Sequence, residues 1–128
     1  MGTDGGDLVQ ALAISLVDGT CNPKSGQWCI VASTLETSQE MGTSVAADPG
    51  DHVTMHYKYN DSTEKYDQTV SLNGAVVSKL STTSGHAQGW GTAVECQSAA
   101  CGYVPGHSEL TCKVSAEKLS CTNKMQDT

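Results

Sequence analysis

The chain has 128 residues, a net charge of −7 and only 16% charged residues. No cluster of Lys or Arg interrupts the acidic balance, which excludes the positive stripe a nucleic-acid partner requires. It has no Phe, 2 Trp and 4 Tyr, so its core must rest on Val, Leu, Ile, Ala and disulfides, and no apolar run approaches the length of a membrane span.

The opening "MGTDGGDL" lacks the basic and apolar regions of a secretory signal. Residues 1–7 read as a flexible lead to a mature secreted chain, with residues 8–128 forming a single domain. The segment "LVQALAISLV", 8–17, places Leu8, Leu12 and Leu16 at helical spacing, but it also reads as a strand buried on both sides. The Asp18-Gly19 turn and the neighbouring strands favour the strand.

"GQWCIVAS" follows as a short strand, and "ADPGD", 47–51, is a turn in which Pro49 and Gly50 break the chain. "DHVTMHYKY" alternates, with Val53, Met55, Tyr57 and Tyr59 on one face and His52, Thr54, His56 and Lys58 on the other. "NDST", 60–63, turns the chain into "YDQTVSL", where Tyr66, Val70 and Leu72 oppose Asp67, Thr69 and Ser71. Asn73-Gly74 between two such runs is a strong hairpin signal. "GTAVEC" and "SELTCKVS" supply further strands, the latter with Leu110, Cys112 and Val114 inward. Short strands joined by tight turns give an all-β chain, an antiparallel β-sandwich of the concanavalin-like or jelly-roll type.

Six cysteines fall into three local pairs, Cys21-x7-Cys29, Cys96-x4-Cys101 and Cys112-x8-Cys121. Each pair flanks a plausible turn, and sequential disulfides are the reading among the 15 connectivities that six cysteines allow. Zinc is the rival, but no second C-x-x-C or H-x3-H follows at ligand spacing. His52 and His56 resemble an i, i+4 metal pair, yet on a strand they stand roughly 13 Å apart, so they read as two solvent-face histidines. Neither a metal nor a cofactor is expected. Asn60-Asp61-Ser62 is an N-glycosylation sequon at a turn, in keeping with secretion.

No G-x-S-x-G elbow and no phosphate-cradling glycine loop is present. The remaining chemistry is that of Glu95, in "AVEC", with Gln27, in "GQWC". A carboxylate base and an amide that holds an oxyanion make a coherent pair. The competing reading is a solvated strand glutamate beside a disulfide.

"AISLVDGTC", "DPGDHVTMHYKYNDSTEKYDQTVSLNGAVVS" and "WGTAVECQSAACGYVP" together resemble the glutamic peptidases of fungi, the eqolisins, over most of residues 12–105. The resemblance implies a concanavalin-like double sheet, secretion and acid-active peptide hydrolysis. It lays the family's catalytic glutamate on Gly91 and its supporting glutamate on Glu95, and the catalytic glutamine on Asn22, with Gln27 nearby. A reduced, non-catalytic relative is the expectation that follows.

Binding outside the cell is therefore the leading functional expectation, with either a protein receptor or a carbohydrate as partner. Trp90, in a Gly-flanked loop with His86 and Gln88, and Trp28 are candidates to stack on a sugar ring; the alternative places both tryptophans in the core. An acid-active glutamic peptidase-like hydrolase and a receptor-active ligand, such as a sweet-tasting or effector protein, are the other expectations.

Overall fold

The computed structural model describes residues 1–15, 21–93, 95, 111–115 and 118–124, the last two stretches as backbone only. The described chain is all-β, two antiparallel sheets packed against each other. One sheet contains β1 (Gly2–Thr3), β2 (Leu8–Ile14), β3 (Trp28–Leu35), β4 (Gln39–Met41), β5 (Val45–Ala47) and β9 (Ala87–Gly89). Its order is β4-β3-β2-β1-β9, with β5 sharing the outer edge of β3. The other contains β6 (His52–Asn60), β7 (Lys65–Leu72), β8 (Ala75–Thr82), β10 (Thr111–Ser115) and β11 (Lys118–Lys124), in the order β10-β11-β6-β7-β8.

The alternation in β6 and β7 forms the inner face of the second sheet. Val53 and Tyr57 are buried from β6, and Tyr66, Gln68 and Val70 from β7. β8 adds Ser78 and Thr82, with Leu80 half-buried between them. A bulge opposite Val70 and Ser71 leaves Val77 as an extra residue and lets it pack on the core while Val76 stays exposed.

β3 is the strand buried on both faces, with every residue from Cys29 to Thr34 at 0% exposure. β2 is only partly covered: Val9 is buried, whereas Leu8 and Ala13 are exposed. The core has two clusters. Val9, Tyr57 and Tyr66 form one, and Ile30, Ala32, Ala47, Val53 and Val70 the other.

Polar groups also bridge the sheets. Gln68, 1% exposed, donates from Nε2 to Ser33 O at 2.9 Å and to Thr34 Oγ1 at 2.8 Å. Thr34 and Thr82 share a hydrogen bond at 3.0 Å, and Ser84 donates to Thr82 at 2.9 Å. The edge of β3 is divided between β4, facing Ser33–Leu35, and β5, facing Trp28–Ile30. In the gap between them the Ala32 N–H is taken by Ser78 Oγ at 2.9 Å, from the opposite sheet. Gly42 closes the corner: its N–H reaches Ala32 O at 2.9 Å, and a Cβ there would collide with the Lys79 carbonyl.

Several expectations change. Residues 1–7 are not a loose lead, because β1 pairs with both β2 and β9 and the Met1 amine donates to Val9 O at 2.9 Å. His56 is half-buried, not a solvent-face residue, because β11 runs alongside it with Ser120 opposite. The strand expected over "GTAVEC" is absent at residues 91–93 and at Glu95, which are irregular and exposed; residues 94 and 96 lie outside the described set. The Asp18-Gly19 turn also lies outside it.

The Cys21–Cys29 disulfide forms as expected, tying the segment before β3 to its second residue. Cys112 and Cys121 stand directly opposite each other in the β10–β11 register. Cys96 and Cys101 lie outside the described residues.

Candidate functional site

The described residues bring one group of chemistry-bearing side chains together, where the β6–β7 hairpin end meets the β1–β9 edge. Tyr59 and Tyr66 are cross-strand partners, and their rings meet edge to face at 5.2 Å. His86 lies over Tyr59 with ring centroids 4.4 Å apart and a 34° tilt. Behind the pair, the Tyr66 hydroxyl accepts the Ala87 N–H at 3.0 Å, fixing β9 against β7.

Asp4 secures His86 from the other side. The His86 N–H donates to Asp4 Oδ1 at 2.7 Å, and the Asp4 N–H to His86 O at 2.9 Å. His86 Nδ1 stands 3.9 Å from Asp4 Oδ2. Gly85, at φ +80°, makes this approach feasible, since a Cβ there would overlap the Asp4 carboxylate. The His86 and Asp4 side chains remain 67% and 50% exposed, so ring and carboxylate both face solvent. Partial desolvation raises the Tyr59 phenol above its ordinary pKa, and the carboxylates of Glu64, Asp61 and Asp4 add to the effect. The face is thus aromatic in its centre and acidic at its margin.

β9 pairs with β1 across a register shift that leaves Gln88 as an extra residue between Ala87 and Gly89, so strand alternation does not carry from His86 to Trp90. Trp90 is 49% exposed and Gln88 is exposed, so Trp90 is not a core residue. Trp28 stands apart. It starts β3 opposite Ala47, at the Cys29–Ile14 end of the β2–β3 pair, whereas β1 joins β2 at Leu8. Six residues of strand, roughly 20 Å, separate those ends. Trp28 is half-buried and takes no part in the Tyr59–His86 face.

The carboxylate–amide pair finds little support from the position of Gln27. Its Nε2 donates to Asp48 Oδ1 at 2.7 Å and its Oε1 accepts the Lys24 N–H at 2.9 Å. Both ends of the carboxamide are thereby used to pin the loop ahead of β3. Glu95 is exposed. Asn60 ends β6: its Oδ1 accepts the Ser62 N–H at 3.1 Å and its Nδ2 donates to Asp67 at 3.2 Å. The Asp67 carboxyl is held below its ordinary range, first by the Ser81 hydroxyl at 2.6 Å.

Asp4 and Tyr59 were not among the sequence candidates. "TDGGD" carries a turn signal and Tyr59 lies near the end of an alternating strand, but nothing local joins Asp4 to His86, 82 positions away. Among the described residues, no group of three or more His, Cys, Asp or Glu side chains could hold a metal ion. No described helix is long and apolar enough to cross a membrane. No family model, no curated protein and no solved structure matches the chain.

Proposed function

We propose that this chain is an extracellular, non-enzymatic binding domain whose ligand is a carbohydrate, taken on the Tyr59–His86–Asp4 face. The supporting observation is the exposed imidazole stacked at 4.4 Å on Tyr59 and backed by a solvent-facing carboxylate. A sugar offers an apolar C–H face and a rim of hydroxyls. The first suits an aromatic surface, and the second suits fixed polar groups, here Asp4. Trp90, exposed one residue beyond β9, supplies a second ring. The Cys21–Cys29 bridge agrees with an oxidising compartment.

The test is a glycan array followed by titration of intrinsic fluorescence with the best-bound sugar. Tyr59→Ala and Trp90→Ala should each weaken binding at least about tenfold, or ~1.4 kcal/mol, with the folded spectrum retained. Absence of any bound glycan, alongside saturable binding to a protein receptor, would transfer the function to that partner class. Cleavage of a denatured protein at acid pH, abolished by Glu95→Gln, would replace binding with peptide hydrolysis.

A further inference from the structure

We propose that the Asn73–Gly74 turn is a self-modifying site, where the Asn73 carboxamide is converted through a succinimide into aspartate and isoaspartate. Both residues are exposed at the tip of the β7–β8 hairpin, with φ of +50° and +86°. Around Gly74 the space is open, since a Cβ built there meets nothing within 4 Å. No side chain stands on the residue that follows Asn73, and nothing crowds the place where one would be.

The Asn73 carboxamide is held at both ends. Oδ1 accepts the His52 N–H at 3.0 Å, and Nδ2 donates to Asp51 Oδ1 at 2.8 Å. A main-chain N–H on the carbonyl oxygen stabilises the oxyanion that develops as Cγ becomes tetrahedral. The Asp51 carboxylate, which also accepts the Asp48 N–H at 2.8 Å, lies against the nitrogen that must leave. These contacts keep its carboxyl below the ordinary range, the Asn73 amide first, so an ionised oxygen lies beside the departing amide.

In the reaction the Gly74 nitrogen bonds to Asn73 Cγ and the Cγ–Nδ2 bond breaks. The Gly74 amide proton passes to the departing nitrogen, which leaves as ammonia. Water is the one co-reactant. It opens the ring at Cγ to give aspartate, or at the Asn73 main-chain carbonyl to give isoaspartate.

The product puts a carboxylate where the amide had donated to Asp51. A hydrogen bond becomes a like-charge contact, and the tie between the β7–β8 turn and the 48–51 turn ahead of β6 is cut.

Native protein held at mildly alkaline pH and analysed by peptide mapping with isoaspartate detection provides the test. Asn73 should convert roughly ten times faster than Asn60, whose carboxamide is also bonded at both ends but precedes Asp61. Asp51→Asn should slow the reaction. Equal rates at the two asparagines would overturn the proposal, as would faster conversion in Asp51→Asn, which would mean that the carboxylate protects the amide. As a stand-in for the product, Asn73→Asp should lower the Tm by about 2–5 °C, and Asp51→Asn in the same chain should restore it. An unchanged Tm in Asn73→Asp would overturn the claimed uncoupling of the two turns.

Discussion

The hydroxyl of Tyr57 accepts the Ala11 N–H at 2.6 Å, joining β6 of one sheet to β2 of the other. β1 covers β2 only near its start, with Met1 bonded to Val9, and Ala11 is the next residue whose amide faces that edge. A side chain from the facing sheet thus supplies the acceptor that a longer β1 would have given.

Tyr57→Phe should cost about 1–2 kcal/mol, because it leaves the Ala11 amide without its acceptor. The same residue sets an alkaline limit. Burial pushes its phenol up to about 12, against about 10 in an unfolded chain. Above pH 10 the folded state therefore holds a proton that the unfolded state has lost, so stability is fully present below pH 10 and falls as pH rises towards 12. The loss is about 2–3 kcal/mol. Urea titrations at stepped alkaline pH should show this decline in the native chain and a flatter profile in Tyr57→Phe.

Gln68 can be tested by changing charge at constant shape. Its Nε2 serves both Ser33 O and Thr34 Oγ1, so Gln68→Glu would turn an acceptor towards a carbonyl at a fully buried position. The expected loss is about 3 kcal/mol or more, read from the denaturation midpoint. A change below about 1 kcal/mol would mean that the inter-sheet network adds little.

Gly85→Ala addresses the candidate site. A methyl group at φ +80° is strained and displaces the Asp4 carboxylate from the His86 N–H. Sugar affinity should fall about tenfold or more, while the core tyrosine hydrogen bonds to Ala11 and Ala87 persist. Amide chemical shifts at residues 4, 86 and 87 would separate the local rearrangement from unfolding.

Replacing Cys21 and Cys29 together by Ala should cost about 2–3 kcal/mol through the lost loop constraint. Non-reducing peptide mapping should recover the Cys21–Cys29 pair and, following the register of β10 and β11, a Cys112–Cys121 pair. A bridge between Cys21 and Cys101 would contradict the sequential scheme.

Much of the sandwich could be read from residue alternation. The runs 52–60 and 65–72 carry enough β-branched and aromatic residues at period two to place their faces; Asn60 marks the turn between them and Asn73 the turn that follows. Gln68 stayed hidden because a polar side chain at an inward position is opaque until its partners, Ser33 and Thr34, are known. β1, β4 and β5, with two or three residues each, are too short to show a period and exist only through their pairing. The site was legible in part: His86, Gln88 and Trp90 stand out as a glycine-punctuated loop. Asp4 and Tyr59 join His86 only through the fold, and Trp28 lies elsewhere because β2 and β1 stand between its strand and β9 and it starts β3 at the far end from Leu8.

The extra residue at Val77 has a bearing on how copies of this protein avoid one another. Among the described residues β8 ends its sheet, and it carries exposed Val76 near its start. A straight outer strand would present an even row of donors and acceptors to any second extended chain. The bulge interrupts that row next to Val76 and increases the local twist, while Lys79 adds a charge farther along. An irregularity that lets Val77 fill the core thus also makes the outer strand a poor template for intermolecular β-pairing.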